Sequence, residues 1–570
     1  MRFQKSALAA TVLATTALLS ACGGGGGGSS ENPTIPVVPS LQSSAVYQLV
    51  LRDAVTGNLI TDSLSITFNG TADVRAGDNS ALVGRTVTSA TGTYNFGVTY
   101  GASASEFTIT VGNPAKGWPN TGTRVVGDVS VKGSQIVEVK LVNSSPANAA
   151  AVNASSAAIA VTATQSTASA GTLAAPIVVA TPPKTVTVSG GAQEKVPTAS
   201  LNVASGTVAK TSDGTPIAPG PVTVSVTSQS LAQASASGAL PGGFTTTVSA
   251  PAEVLGGVAP AAAKIEFAGF ATFSLTDSAG KPITSFAPPI QIGIDLPKTQ
   301  KNANGGPVAV GQNYPVWRLE PKTGAWEYRG QGTIAEKSPV DPANFTVLFQ
   351  TSQLSQYSVG TVTQAVDCDA TLLISRTLNS APTAERSLLL AFTGAGGVAR
   401  NLTISAADSA TTPQSAFFSK LPAGELTLNV YDPSDAAPTV SRVTVTKDFC
   451  AANPTSVTVP LAPRPTTTVR VDAVESCPGQ SVPLNGFVNL VPSSPNGNPL
   501  PLSGYLSGGS VTFTGVPVPD ANTQVAITVT NSRDSTVKST TGGVSASTPA
   551  NFSFNFAYNP CPTGFGSTPQ

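Results

Sequence analysis

The chain of 570 residues is long enough for about three to five folded units. Its 30 Lys and Arg balance 30 Asp and Glu, and charged residues make up only 11% of the chain, so it lacks the positive field that binds a nucleic-acid backbone. Histidine is absent, which excludes Ser-His-Asp and Cys-His nucleophiles, histidine-ligated metal sites and proton transfer by imidazole.

Residues 1–21 have the pattern of a secretory signal peptide. Arg2 and Lys5 precede an apolar run from Ala7 to Leu19, which is too short to span a bilayer. The next residues, Leu19-Ser20-Ala21-Cys22, resemble the lipobox of bacterial lipoproteins. This resemblance implies that cleavage leaves Cys22 as the first residue and that its thiol carries the lipid, with palmitate among the expected acyl groups. An ordinary secretory signal peptide followed by a chance cysteine is the alternative.

Residues 22–43 are predicted to be a tether. Gly23–Gly28 is a run of six glycines that cannot contribute to a core, and a coil from Gly23 to Ser43 reaches roughly 25 Å. The residue after Cys22 is Gly rather than Asp, which in the lipoprotein family implies export to the outer membrane. Whether the protein faces the periplasm or the cell exterior stays open.

Residues 44–143 are predicted to form the first β-sandwich module. Tyr47, Leu49 and Leu51 alternate with Gln48, Val50 and Arg52, and the same period of two runs through Val137, Val139 and Leu141. Such alternation is typical of strands with one buried face. The pattern recurs to the C-terminus, no long amphipathic helix is evident, and 46 prolines and 54 glycines mark frequent turns. We therefore expect an all-β protein of tandem antiparallel sandwiches joined by flexible linkers.

Residues 144–176 are predicted to be a linker because they contain Ala, Ser, Thr, Asn and Val and no charged residue. An Ala-rich helix is the alternative, although the interspersed Ser, Thr and Val weaken it. Residues 177–361 form a larger β region, which is longer than one ordinary sandwich and leaves open whether it is one domain or two sub-modules.

Four aromatic residues cluster in the larger β region, on one predicted hairpin. They are Tyr314, Trp317, Trp326 and Tyr328. If exposed, they could stack on sugar rings as a ligand platform; if buried, they are cross-strand pairs of a core, which is the favoured interpretation.

Acidic residues near this hairpin are the remaining candidates for catalysis. Glycosidases need only two carboxylates about 5–9.5 Å apart, and Glu266, Asp277, Glu320 and Glu327 are the nearest such residues. Because nothing in the sequence pairs them, we expect solvated carboxylates and a protein that is not an enzyme. No metal site and no cofactor are predicted, and no Asp-rich calcium loop is present.

Four further cysteines mark two similar modules, at residues 362–462 and 463–562, before a tail at 563–570. Cys368 and Cys450 are 82 positions apart, and Cys477 and Cys561 are 84 apart. We expect disulfides within each pair, each tying the first strand of its module to the last, and such bonds form in an oxidising compartment. A Cys450–Cys477 bridge is the main competing connectivity, and a four-thiolate zinc site is the other alternative, weakened by the absence of a C-x-x-C pair.

Two resemblances concern the modules themselves. Phe418–Val430, with the sequence FSKLPAGELTLNV, resembles the "LPAGxYTLxV" strand of carboxypeptidase-regulatory-domain-like, transthyretin-like modules, and residues 46–60 and 512–529 are similar more loosely. Residues 317–326 and 345–359 resemble the closing hairpins of β modules in cartilage intermediate layer proteins, with Gln353 where we expect histidine. The first family implies non-catalytic sandwiches attached to larger proteins.

Together these patterns predict a lipid-anchored protein of the bacterial cell envelope that presents modules for adhesion, scaffolding or protein interaction. The alternative is a carbohydrate-binding or substrate-capturing surface lipoprotein with the tryptophan hairpin as its platform. The expected partners are the membrane, through the lipid, and an unidentified protein or glycan, but no nucleic acid.

Overall fold

The computed structural model describes residues 45–562 with internal gaps, the longest at 230–247, 379–385, 407–413, 432–441 and 494–501, together with Ser43 and Phe565. The predicted signal peptide and the lipid-bearing Cys22 lie outside the described residues, as do Lys322 and Gly324 of the hairpin turn. Strands dominate and helices are few and short, which confirms the all-β prediction.

The N-terminal module (residues 45–143) is a sandwich of two four-stranded sheets, ordered β3-β5-β1-β8 and β4-β2-β6-β7. The predicted alternation is present: Tyr47, Leu49 and Leu51 point into the core between the sheets. Its strands are β1 Ala45–Asp53, β2 Leu64–Gly70, β3 Asp73–Arg75, β4 Thr86–Ser89, β5 Thr93–Thr99, β6 Ser105–Asn113, β7 Trp118–Gly127 and β8 Gly133–Leu141, with a 3-10 turn at Pro114–Lys116.

The central region (residues 159–364) is built on one 13-stranded sheet. Its long strands β18 and β19 form a hairpin, and each bonds further strands along both edges. The largest core lies along this hairpin, and a second core gathers around Trp317 and Trp326. Its strands are β9 Ile159–Ser169, β10 Thr172–Leu173, β11 Ile177–Ala180, β12 Lys184–Thr187, β13 Gln193–Val196, β14 Ala199–Val203, β15 Val208–Thr211, β16 Gly220–Ser228, β17 Val248–Ser249, β18 Ala263–Thr276, β19 Pro282–Pro297, β20 Asn313–Glu320, β21 Ala325–Ala335, β22 Asn344–Gln353 and β23 Gln356–Gln364.

Among the described residues, two helices accompany the central region, α1 Ala149–Ala154 before it and α2 Ala252–Leu255 within it. The first corrects the prediction of a flexible linker at 144–176. Val152 of α1 packs with Val142 and Ala160, and the side chain of Asn153 bonds the backbone N–H and carbonyl of Ala160. From Ile159 the chain then runs as β9, antiparallel to β16. The absence of charged residues in this segment is therefore compatible with burial as well as with a linker.

The penultimate module (residues 367–461) is a seven-stranded sandwich with sheets ordered β27-β24-β30 and β26-β25-β28-β29. The segment similar to transthyretin-like modules ends β27, turns at Gly424 with φ +102°, and continues as the core strand β28. Its strands are β24 Asp367–Leu378, β25 Arg386–Gly394, β26 Val398–Ala406, β27 Gln414–Pro422, β28 Glu425–Tyr431, β29 Val443–Asp448 and β30 Thr455–Leu461.

The C-terminal module (residues 466–561) repeats this plan. One sheet holds β31 bonded to β32, β35 and β38, and the other is ordered β34-β33-β36-β37. Its strands are β31 Thr466–Cys477, β32 Gln480–Pro483, β33 Gly486–Pro492, β34 Leu502–Leu506, β35 Ser510–Pro517, β36 Gln524–Asn531, β37 Val537–Gly543 and β38 Ala550–Ala557.

All three sandwich modules share one topology. In each, the first strand pairs antiparallel with a middle strand, namely β5, β27 or β35. It also pairs parallel with the last strand, β8, β30 or β38. The predicted antiparallel sandwiches therefore each contain one parallel pair, which the sequence does not indicate. The N-terminal module is a third copy of this plan. Because it has no cysteine, the cysteine spacing could indicate only the other two copies.

Candidate interaction surfaces

The aromatic hairpin is a core and not a ligand platform. Tyr314, Trp317 and Trp326 on β20 and β21 are each 0% exposed. The Trp317 indole N–H donates to the Gly360 carbonyl at 2.8 Å, and Trp326 packs edge-on against Phe267 with ring centroids 5.1 Å apart. Tyr328 is half-buried and packs against Trp317. The exposed-platform hypothesis is therefore wrong, because the hairpin turns Trp317 and Trp326 toward β17, β18 and α2, while Tyr314 packs in the larger core of the central region.

The acidic residues of the hairpin are held by arginine. Nη2 of the buried Arg318 lies 3.0 Å from Glu320 and 2.9 Å from Glu327, and Glu327 also pairs with Arg329. Glu320 and Glu327 thus approach each other, but a guanidinium fills the space that a glycosidic bond would need.

The other two acidic candidates lie elsewhere in the central region. Glu266 is exposed on β18. The Asp277 carboxylate accepts backbone N–H groups in the turn before β19, including that of Lys281 at 2.9 Å. The sequence candidates therefore do not converge on a cleft.

A buried ion pair lies near the end of β19. Asp295 on β19 is 2% exposed, and its Oδ2 accepts from the Lys337 ammonium at 2.8 Å and from the backbone N–H and hydroxyl of Thr198 at 2.8 and 3.0 Å. Lys337 also pairs with Asp341, and Asp341 with Lys195. Burial raises the pKa of Asp295, and the hydrogen bonds from Lys337 and Thr198 offset only part of that rise.

This raised pKa gives a first prediction, for the Asp295→Asn variant. The folded state binds the Asp295 proton more tightly than the unfolded state, so the stability from this group is fully present below its ordinary value of 3.8 and is lost as pH rises through the folded-state pKa. The difference in unfolding free energy between wild type and Asp295→Asn should therefore shift in favour of wild type as pH falls through this window. Urea denaturation across the acidic range measures it. A shift in the opposite direction would mean that the Lys337 charge outweighs burial.

The structure joins Cys368 with Cys450 and Cys477 with Cys561, with Cα atoms 5.6 and 5.8 Å apart. This is the connectivity that the spacing favours, but the two bridges are not equivalent in the fold. Cys368 lies at the start of β24 and Cys450 before the last strand, β30, whereas Cys477 ends β31 and Cys561 follows β38. The expectation that each bridge ties a first strand to a last strand therefore fails for Cys450.

The N-terminal module contacts each of the other three parts. Its strand β8 lies against β26 of the penultimate module. Toward the central region, the Thr108 hydroxyl donates to the Thr323 carbonyl at 3.1 Å and the Gln356 amide donates to the Asn120 carbonyl at 3.2 Å. A cavity of about 20 Å³ at this junction is lined by Thr227, Thr272 and Gln356 among others, and it has room for about one water molecule.

The contact with the C-terminal module joins two sheet faces that point away from their own cores. Asn95 on β5 donates its amide to the Asn489 side-chain oxygen on β33 at 2.7 Å. The Tyr505 hydroxyl on β34 donates to the Gly77 carbonyl at 2.8 Å. A Cβ atom on Gly77 would collide with the Ser532 hydroxyl and the Phe487 ring, so only glycine fits there. We call these two faces together the clasp.

Several polar atoms in and beside the clasp are buried without a partner. Gln48 pairs in register with Asn95 and is 0% exposed. Among the described residues, neither amide atom of Gln48, nor Asn95 Oδ1, nor Ser532 Oγ has a hydrogen-bond partner. The strand alternation predicts that Gln48 lies on the face of β1 away from the core. Val46 and Val50 are apolar and lie on the same side of the strand as Gln48. These two residues were the one feature of the sequence that could have indicated that this face is covered.

Within the described part of the chain, no helix has the length and apolar character needed to cross a membrane. The same residues contain no group of three or more Cys, Asp or Glu side chains placed to hold a metal ion.

No protein-family model and no curated protein matches the chain. Among solved structures, the minor pilin GBS52 of Streptococcus agalactiae is 13% identical with a TM-score of 0.16, over 34% of this chain and 98% of the pilin. The shaft pilin SpaA of Lactobacillus rhamnosus GG is 9% identical with a TM-score of 0.14, over 34% of this chain and 97% of that one. The TIE protein of Bacillus anthracis is 10% identical with a TM-score of 0.12, over 70% and 57%. We draw no functional conclusion from similarities at this level.

Proposed function

We propose that the chain is a lipid-anchored protein of the bacterial outer membrane that has no catalytic activity and presents its β-sandwich modules for adhesion, scaffolding or protein interaction. The observation that carries this proposal is the repetition of one plan in three modules, around a central region whose aromatic and acidic side chains are used in packing and ion pairs. The modules share seven strands, and the N-terminal and C-terminal modules each add an eighth, β3 and β32. Repeated sandwiches of this kind supply surface and length, and the resemblance of Phe418–Val430 to transthyretin-like modules supports the same role.

The anchor is proposed from the first residues of the chain. Leu19-Ser20-Ala21-Cys22 supplies the acceptor thiol, and the glycines that follow supply a tether. A single acyl chain gives marginal membrane binding, whereas two or more give stable attachment. In our proposal a diacylglyceryl cysteine therefore suffices to hold the chain at the membrane.

The anchor gives a second prediction. In cells grown with an alkyne analogue of palmitate, the wild-type chain should incorporate label and sediment with membranes, whereas Cys22→Ser should lose both properties because it lacks the acceptor thiol. The double variant Cys368→Ser/Cys450→Ser is the matched control, since it removes two cysteines and should keep the label. An unlabelled wild type, or a labelled Cys22→Ser chain, would contradict the proposal.

A further inference from the structure

We propose that the clasp is exchangeable, so that the C-terminal module of one chain binds the N-terminal module of a second copy of the same chain. The inference deepens the proposed interaction role and rests on it, because it names one partner that the modules would hold. It also has its own structural basis, which is independent of the lipid.

The two faces of the clasp fit each other in specific detail. They are joined by the Asn95–Asn489 and Tyr505–Gly77 hydrogen bonds. Phe487 and Tyr505 pack edge to face with ring centroids 5.2 Å apart on the outer side of the C-terminal module, and Gly77 leaves room for Phe487. A second copy carries both faces, so it offers the same complementary surface.

The buried polar atoms of the clasp also favour its opening. Burying a polar atom without a partner costs about 1–3 kcal/mol, and Gln48, Asn95 and Ser532 together leave four such atoms. A contact with this penalty resembles the polar interfaces between domains that move relative to each other, more than it resembles a core. Opening returns those atoms to water.

Exchange between copies preserves every contact of the clasp. Asn95 and Asn489 are 394 positions apart, and the central region and the penultimate module lie between them in the chain. The closed chain and the exchanged pair therefore differ mainly in the effective concentration of one face of the clasp near the other. In the closed chain the connecting modules set this concentration, and in the exchanged pair the density of chains sets it. Chains tethered to one membrane are confined near one another, which favours exchange.

Cross-linking between two tagged chains tests the proposal. One full-length chain carries Asn95→Cys and the other carries Asn489→Cys, and both are produced in the same cells. A short bis-maleimide is then applied to the isolated membranes, where Cys368, Cys450, Cys477 and Cys561 are held in disulfides and the fifth cysteine, Cys22, carries the lipid in our proposal. We expect a covalent dimer that carries both tags, and we expect its fraction to rise with expression level. Adding Gly77→Leu to the first chain should abolish the dimer, because the new side chain collides with Phe487.

Two controls decide among the outcomes. Thr541→Cys, on the exposed edge strand β37 of the same module, replaces Asn489→Cys and should give no dimer with the Asn95→Cys chain. A single chain carrying both Asn95→Cys and Asn489→Cys reports closure within one copy.

Internal closure without any two-tag dimer would overturn exchange, and the absence of both products would overturn the clasp itself. Repeating the pair on a Cys22→Ser background at high concentration separates this result from a failure of the lipid anchor.

Discussion

Replacement of Trp326 by alanine should lower the free energy of unfolding of the central region by about 3–5 kcal/mol, the usual cost of deleting a fully buried large aromatic side chain. Trp326 is 0% exposed and packs against Phe267 and Phe270, so the truncation leaves a cavity that these rings cannot fill by small movements. Hydrogen exchange followed by mass spectrometry, on peptides covering β20 and β21, measures the loss locally in a protein of several domains.

Val340→Ala is the matched control for this experiment. Val340 belongs to the same region but is 73% exposed, so its truncation should change stability by no more than about 0.5 kcal/mol. If Trp326→Ala left hydrogen exchange in β20 and β21 unchanged, the hairpin would not be part of a core, and the ligand-platform hypothesis would return.

The double variant Cys477→Ser/Cys561→Ser should destabilise the C-terminal module by about 2–5 kcal/mol. The bridge closes a loop of 84 positions, and in the chain-entropy model cross-links across long loops remove the most freedom from the unfolded state. Urea denaturation of the variant and the wild type, with the unfolding of β31 and β38 followed by hydrogen exchange, gives the difference.

Cys368→Ser/Cys450→Ser is the comparison for this second experiment. It should destabilise the penultimate module and leave the C-terminal module close to wild type, because distant sites contribute independently. Equal effects of either pair on both modules would show that the two sandwiches unfold as one unit.

Much of the fold could be predicted from side-chain alternation and turn residues. Tyr47, Leu49 and Leu51 indicate a strand with one buried face, and three of the many glycines that mark turns, Gly57, Gly214 and Gly280, have φ near +75°. Cysteine spacing located two modules, although the near-equal offsets join positions that are not equivalent in the fold. The parallel pairing of first and last strands has no local signature, because it joins strands about 80 to 90 residues apart.

The interaction surfaces were less accessible to prediction. Gln48 and Asn489 lie on outer faces of strands, where polar residues normally meet solvent, and only contact with another module buries Gln48. The uncharged segment at 144–176 predicts a linker, but low charge is typical of both flexible and buried segments. Only a pairing partner such as β16 distinguishes the two, and local composition does not reveal that partner.

The parallel pairing of first and last strands has a mechanical consequence. When such a module is pulled by its two ends, the hydrogen bonds between those strands are loaded side by side, and they must break together instead of one after another. In the C-terminal module the Cys477–Cys561 bridge carries the tension instead, because it links the end of β31 directly to the residues after β38. The segments between the two cysteines then bear no load, so drag on the chain would leave their surfaces folded.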